Sequence, residues 1–124
     1  MRIRWSFLNR FVLAANLVER AALRYTPAGL PALDLSLKHE SEVSEDGQPR
    51  KVSMEIKAVA IGAITQSLTA LELGRGGLFA GFLTSTRNGR GLLFHINSFD
   101  ADSAPAVAPD AADETLLSGS NEIK

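Results

Sequence analysis

Apolar and polar residues alternate along most of the chain up to Phe99, and the alternation breaks at recognisable turn signals. From Asn9 to Arg20, Phe11, Leu13, Ala15 and Leu17 share one face while Val12, Ala14, Asn16 and Val18 share the other. Both faces are largely apolar, which predicts a strand buried on both sides, as inside a barrel or at a subunit contact. Thr26-Pro27-Ala28-Gly29 is a reversal, with Pro presetting φ and Gly free to take a positive one. Beyond it, Leu33, Leu35 and Leu37 point one way and Asp34, Ser36 and Lys38 the other, the pattern of a half-buried strand reaching about Glu40.

Glu42 to Pro49 reads as a polar connection with turn chemistry at Asp46-Gly47, so two strands are expected to pair across it. Lys51 to Ile61 alternates again, with Val52, Met54, Ile56, Ala58 and Ala60 inward. Over Gly62 to Leu73 the period changes: Ile64, Leu68 and Leu71 recur at helical spacing, and Gly74 is placed as a stop, which predicts a helix of about three turns. Leu78 to Thr86 and Leu92 to Phe99 flank Arg87-Asn88-Gly89-Arg90-Gly91, a hairpin signal with arginines at its tip.

Three strands, a short helix and two further strands is the element order of the OB-fold. That is an all-β, five-stranded Greek-key barrel with one short helix between the third and fourth strands, and it binds oligonucleotides or oligosaccharides. The expected organisation is an N-terminal extension (1–8), the barrel (9–99) and an acidic tail (100–124) with too little apolar area to order.

Composition narrows the class. A chain of 124 residues buries one core, and its 45% hydrophobic and 22% charged residues are ordinary for a globular protein. Cys is absent, which excludes disulfides, thiol nucleophiles and cysteine metal sites and fits a reducing compartment, so a cytoplasmic location is expected. Arg2 and Arg4 precede apolar residues as in a signal peptide, but Asn9 and Arg10 interrupt any apolar stretch, and no run reaches the roughly 18 residues that span a bilayer. The formal net charge of −1 conceals an asymmetry: from Asp100 onward there are six acids and one base, against 12 basic and 8 acidic residues before it. A basic body suits a polyanion partner.

Six cations are candidate nucleic-acid contacts: Lys38 on the second strand, Arg50, Lys51 and Lys57 on or beside the third, and Arg87 and Arg90 at the hairpin tip. Each phosphate neutralised by such a row releases counterions; the bland alternative is a set of solvated surface charges. Tyr25 either stacks on a base or packs the barrel's end. His39 is expected at the surface near the groove, and His95 on the inner side or at a subunit contact. Two lone histidines make no metal site, Gly74-Arg75-Gly76-Gly77 lacks the Lys-Ser/Thr of a phosphate loop, and no Gly-x-Ser-x-Gly elbow or carboxylate pair occurs. No catalytic role and no cofactor are expected.

Asn9-Arg10-Phe11-Val12-Leu13, Leu23-Arg24-Tyr25-Thr26-Pro27-Ala28-Gly29 and Leu35-Ser36-Leu37 resemble the opening third of bacterial single-stranded DNA-binding proteins. The later run Gly81-Phe82-Leu83 through Arg87-Asn88-Gly89, then Leu93-Phe94-His95, is similar to one branch of that superfamily, the primosomal replication protein N family. The resemblance implies an OB-fold homodimer that binds single-stranded DNA and bridges a restart helicase and other primosomal proteins during replication restart. Two departures stand out. The tail ends Ser120-Asn121-Glu122-Ile123-Lys124 without the apolar tip of general binders, and Glu55 and Ile61 stand where those carry outward aromatics on the third strand. Weak, electrostatic binding is therefore expected; the alternatives are a general single-strand coating protein and an OB-fold adaptor with little DNA affinity.

Overall fold

The computed structural model describes residues 7–101, and the extension up to residue 6 and the tail from residue 102 lie outside it. The elements are β1 (Phe11–Arg20), β2 (Arg24–Tyr25), β3 (Pro31–Glu45), β4 (Gln48–Ile61), α1 (Thr65–Ala70), β5 (Gly76–Ser85) and β6 (Leu92–Ala101). The strands run in the order β1-β5-β6-β4-β3-β2, and β1 also pairs with β3, which closes the sheet into a five-stranded barrel with β2 as a two-residue appendage. All pairings are antiparallel except β4 with β6. This is the OB-fold architecture expected from the element order.

β1 closes the barrel by serving two neighbours. Phe11 to Asn16 pair with β5, and Asn16 to Arg20 pair with β3, with a register shift between Leu17 and Glu19. The extra residue, Val18, bends the strand and is left 37% exposed. The inward set Leu13, Ala15 and Leu17 meets Leu33, Leu35 and Leu37 of β3, Ala58 and Ala60 of β4, Leu68 of α1, and Phe79, Phe94 and Ile96 of the last two strands. Phe11 adds an edge-to-face contact with Phe94, the ring centroids 4.9 Å apart.

The outer face of β1 departs from expectation. Val12 is 43% exposed and Ala14 is also exposed, so within the single chain the barrel buries one side of the strand only. Its first half pairs with β5 alone. On the other edge, His39 Nδ1 donates to the Ala14 carbonyl at 2.6 Å, while His39 Nε2 lies 2.8 Å from the Ser41 hydroxyl.

Two element lengths also differ. The stretch expected as a polar connection from Glu42 to Pro49 is mostly strand, because β3 and β4 stay paired out to Glu45↔Gln48 around a two-residue turn. Asp46 and Gly47 both have positive φ, 53° and 77°, as the primed hairpin turn requires. The helix is six residues long, and its buried residues are Thr65 and Leu68. Ile64 and Leu71 pack against the core from just outside it, Leu71 in an extended conformation, so the helical spacing of apolar residues is met by one short helix and its flanks. Arg20 reaches under the helix end and donates to the carbonyls of Leu68 and Leu71.

Candidate nucleic-acid interface

The register of β3 against β4 decides where their cations go. Paired residues share a face, so Lys38, Lys51 and Lys57 all lie on the outer face, where acids stand opposite or beside them. Lys38 stands directly opposite Glu55, and Lys51 opposite Glu42. Lys57 is opposite Ser36, donates to its hydroxyl at 3.0 Å and lies 3.9 Å from Glu19, which accepts from the same hydroxyl. Arg50 is on the opposite face of the hairpin, across from Val43, and is tied to Glu45 at 2.8 Å. The structure therefore brings three of the four expected strand cations together, but on a surface of alternating sign.

Arg24 and Asp34 continue that pattern at the β2 end. Their side chains meet in a fork, Nε to Oδ2 at 2.7 Å and Nη2 to Oδ1 at 3.0 Å. The hydrogen bonds from Arg24 hold the Asp34 carboxyl below its usual range against a smaller opposing effect of burial. Tyr25 beside it is 66% exposed, so it does not pack the barrel's end, and its ring is open to a ligand.

Arg87 and Arg90 stand apart, at the β5–β6 tip. The tip is held by its own hydrogen bonds: Thr86 N–H to Gly91 O at 2.9 Å, Gly89 N–H to Thr86 O at 2.8 Å, and Asn88 Oδ1 accepting from the Thr86 hydroxyl and the Arg90 N–H. Gly89 has φ of 74°, so the Asn-Gly pair supplies the turn expected of it. No side-chain ion pair reaches either arginine among the described residues. Two exposed guanidinium groups carried on one tight turn are suited to phosphate oxygens.

His95 lies on the outer side of β6, not among the core residues. Its ring stacks on Phe82 of β5 with centroids 4.8 Å apart and planes 12° from parallel. Burial there pushes its pKa below the usual histidine value. The sequence reading misses this aromatic pair, although a hairpin centred on Asn88-Gly89 sets Phe82 across from His95 by simple counting.

Among the described residues no group of three or more His, Asp or Glu is placed to hold a metal ion. Likewise no helix among them is long and apolar enough to cross a membrane.

Residues 9–98 match the family described as "Another single-strand binding protein family". A crystal structure of PriB from Ralstonia solanacearum superposes with a TM-score of 0.69 at 34% identity, covering 76% of this chain and 97% of that one. The chain belongs to the single-strand binding protein family, in its PriB replication restart branch. Replication restart protein PriB of Bordetella pertussis is 48% identical over 80 residues, 64% of this chain and 75% of that protein. The wild-type single-stranded DNA binding protein of Thermus aquaticus is similar at 27% identity with a TM-score of 0.61, covering 76% of this chain and 50% of that one. Family membership accounts for the barrel and for the sequence likeness in its opening strands.

Proposed function

We propose that this protein is a primosome accessory factor that binds single-stranded DNA and bridges a restart helicase and loader proteins when replication resumes at an abandoned fork. The observation that carries the reading is the likeness to the Ralstonia PriB over almost the whole of that structure. The protein catalyses no reaction and needs no cofactor; its work is to hold a strand and present surfaces. Phosphates are met by Arg87 and Arg90 at the hydrogen-bonded hairpin tip, with Lys38, Lys51 and Lys57 as weaker contacts and Arg50 at the margin. It acts in the cytoplasm as a homodimer, the second copy meeting the edge of β1 that β5 leaves unpaired.

The alternating-sign face of β3 and β4 favours a second reading, an adaptor whose main partner is protein. Complementary charges in register give partner specificity more than raw affinity. The two readings separate in one assay, helicase unwinding of a forked DNA titrated with this protein. A single-strand-binding bridge stimulates unwinding and loses the effect when Arg87 and Arg90 are changed to alanine. An adaptor keeps the stimulation after that change. Absence of stimulation by the wild-type protein would sink both.

A further inference from the structure

The outer surface of β1, β5 and β6 differs in kind from that of β3 and β4. Its outward residues are Val12 and Ala14 on β1, Leu78, Ala80 and Phe82 on β5, and His95 on β6. Glu19 belongs to the half of β1 that pairs with β3. The one carboxylate near this surface among the described residues of the three strands is Asp100, and it sits opposite Leu78, four residues along β5 from Phe82. Phe82 keeps 38% of its surface exposed, and its ring stacks on His95. A part-exposed aromatic stack is what a further flat, uncharged ring adds to.

Arg10 is set beside this stack. The β1–β5 register runs Phe11↔Gly81, and the Asn9 side chain continues it by bonding both main-chain groups of Leu83, donating to the carbonyl at 2.8 Å and accepting from the N–H at 3.1 Å. Arg10 therefore falls across from Phe82. Phe11 points into the core, so Arg10, its neighbour on an alternating strand, is on the outer side and is exposed. From Phe82 to Arg87 the β5 arm leads straight to the arginine tip, about 16 Å at 3.3 Å per residue.

We propose that Phe82, backed by His95, is a stacking platform for an unpaired nucleobase, with Arg10 receiving the adjacent phosphate and Arg87 and Arg90 receiving those further along. This rests on the reading of the chain as a single-strand binder and places its base contact. The β4 positions that carry Glu55 and Ile61 offer no aromatic surface; the hairpin root does. Stacking on one ring tolerates any base, so the contact adds affinity without sequence preference.

The test is fluorescence anisotropy of labelled oligo-dT and of an abasic deoxyribose-phosphate strand of equal length, with wild type and Phe82→Leu. Leu keeps an apolar side chain on a part-exposed site, and a circular dichroism melt verifies the fold. The expected result is oligo-dT binding weakened about five- to a hundred-fold by Phe82→Leu, with an unchanged salt slope and no effect on the abasic strand. A Phe82→Trp variant in a Trp5→Phe background supplies an independent signal, quenching of the new indole by oligo-dT. Wild-type binding with no loss in Phe82→Leu and no quenching overturns the platform alone. Wild type failing to bind any single strand overturns the platform together with the functional reading. A change in oligomeric state in Phe82→Leu with DNA binding intact assigns the surface to a second copy of the chain and also overturns the proposal.

Discussion

Among the glycines of the described residues, Gly81 is the one a side chain would crowd most closely. A Cβ there would stand 1.7 Å from the His95 carbonyl oxygen and 2.8 Å from its carbon, both main chain, at the point where Asn97 is the extra residue between the pairs Ala80↔Ser98 and Gly81↔Ile96. Main-chain atoms of a paired strand cannot swing aside, so Gly81→Ala must open the β5–β6 ladder beside the Phe82–His95 stack. The expected cost is about 1–3 kcal/mol or more, read as a lower urea midpoint. A midpoint equal to wild type would show that the strands are not held this closely. His95 itself makes stability depend on pH. Burial holds its folded pKa below the ordinary 6.5, so between the two values the unfolded chain binds more protons than the folded one. Stability is then full above about pH 6.5 and declines as pH falls through the window beneath it. Asp34, held below 3.8 by Arg24, loses its contribution only at more acidic pH. The urea midpoint of the wild type should therefore fall more between pH 7.5 and 5.5 than that of His95→Gln, and equal falls would exclude His95 as the cause.

At the scale of elements, the two hairpins show what could be read from the sequence and what could not. Asp46-Gly47 and Asn88-Gly89 are both legible as turns, because positive-φ positions leave a chemical trace. The outer half of the β3–β4 hairpin is not legible as strand. Beyond Glu40 it leaves the barrel and buries almost nothing, so the apolar alternation that marks a half-buried strand disappears. The turn nevertheless holds more than a boundary: counting back from Asp46-Gly47 sets Lys38 against Glu55 and Lys51 against Glu42. Six cations strung along a chain look like a basic row, whereas the same six placed by register are three lysines on a mixed-sign face, Arg50 on the other face of that hairpin, and two arginines at a tip. The consequence is measurable. Changing Arg87 and Arg90 to alanine should lower the salt dependence of oligonucleotide binding by about 0.7 in log-log slope for each phosphate that is no longer neutralised. Changing Lys38 and Lys51 should lower it less. The reverse order would place the phosphates on the β3–β4 face.

For the whole molecule, the barrel is legible because each strand except the long hairpin's outer half buries one face against a common core, and that burial imposes the alternation. Residues Leu17, Leu33, Leu37, Phe79 and Phe94, all inward by alternation, are at most 1% exposed. The helix is shorter than its apolar spacing implies because Leu71 serves the core from an extended backbone, which no periodicity distinguishes from a last helical turn. The outward aromatic pair is hidden for another reason: Phe82 and His95 are 13 positions apart, and only the hairpin register makes them neighbours. On the proposed reading, function rests on a closed barrel that holds a single strand through the arginines of the hairpin tip. The most direct test is anisotropy of labelled oligo-dT, and of a duplex of the same length, titrated with the full-length protein across a salt series. A log-log slope of several times −0.7 for oligo-dT, with markedly weaker duplex binding, is the predicted result. A flat response, or duplex bound as tightly as the single strand, would contradict it.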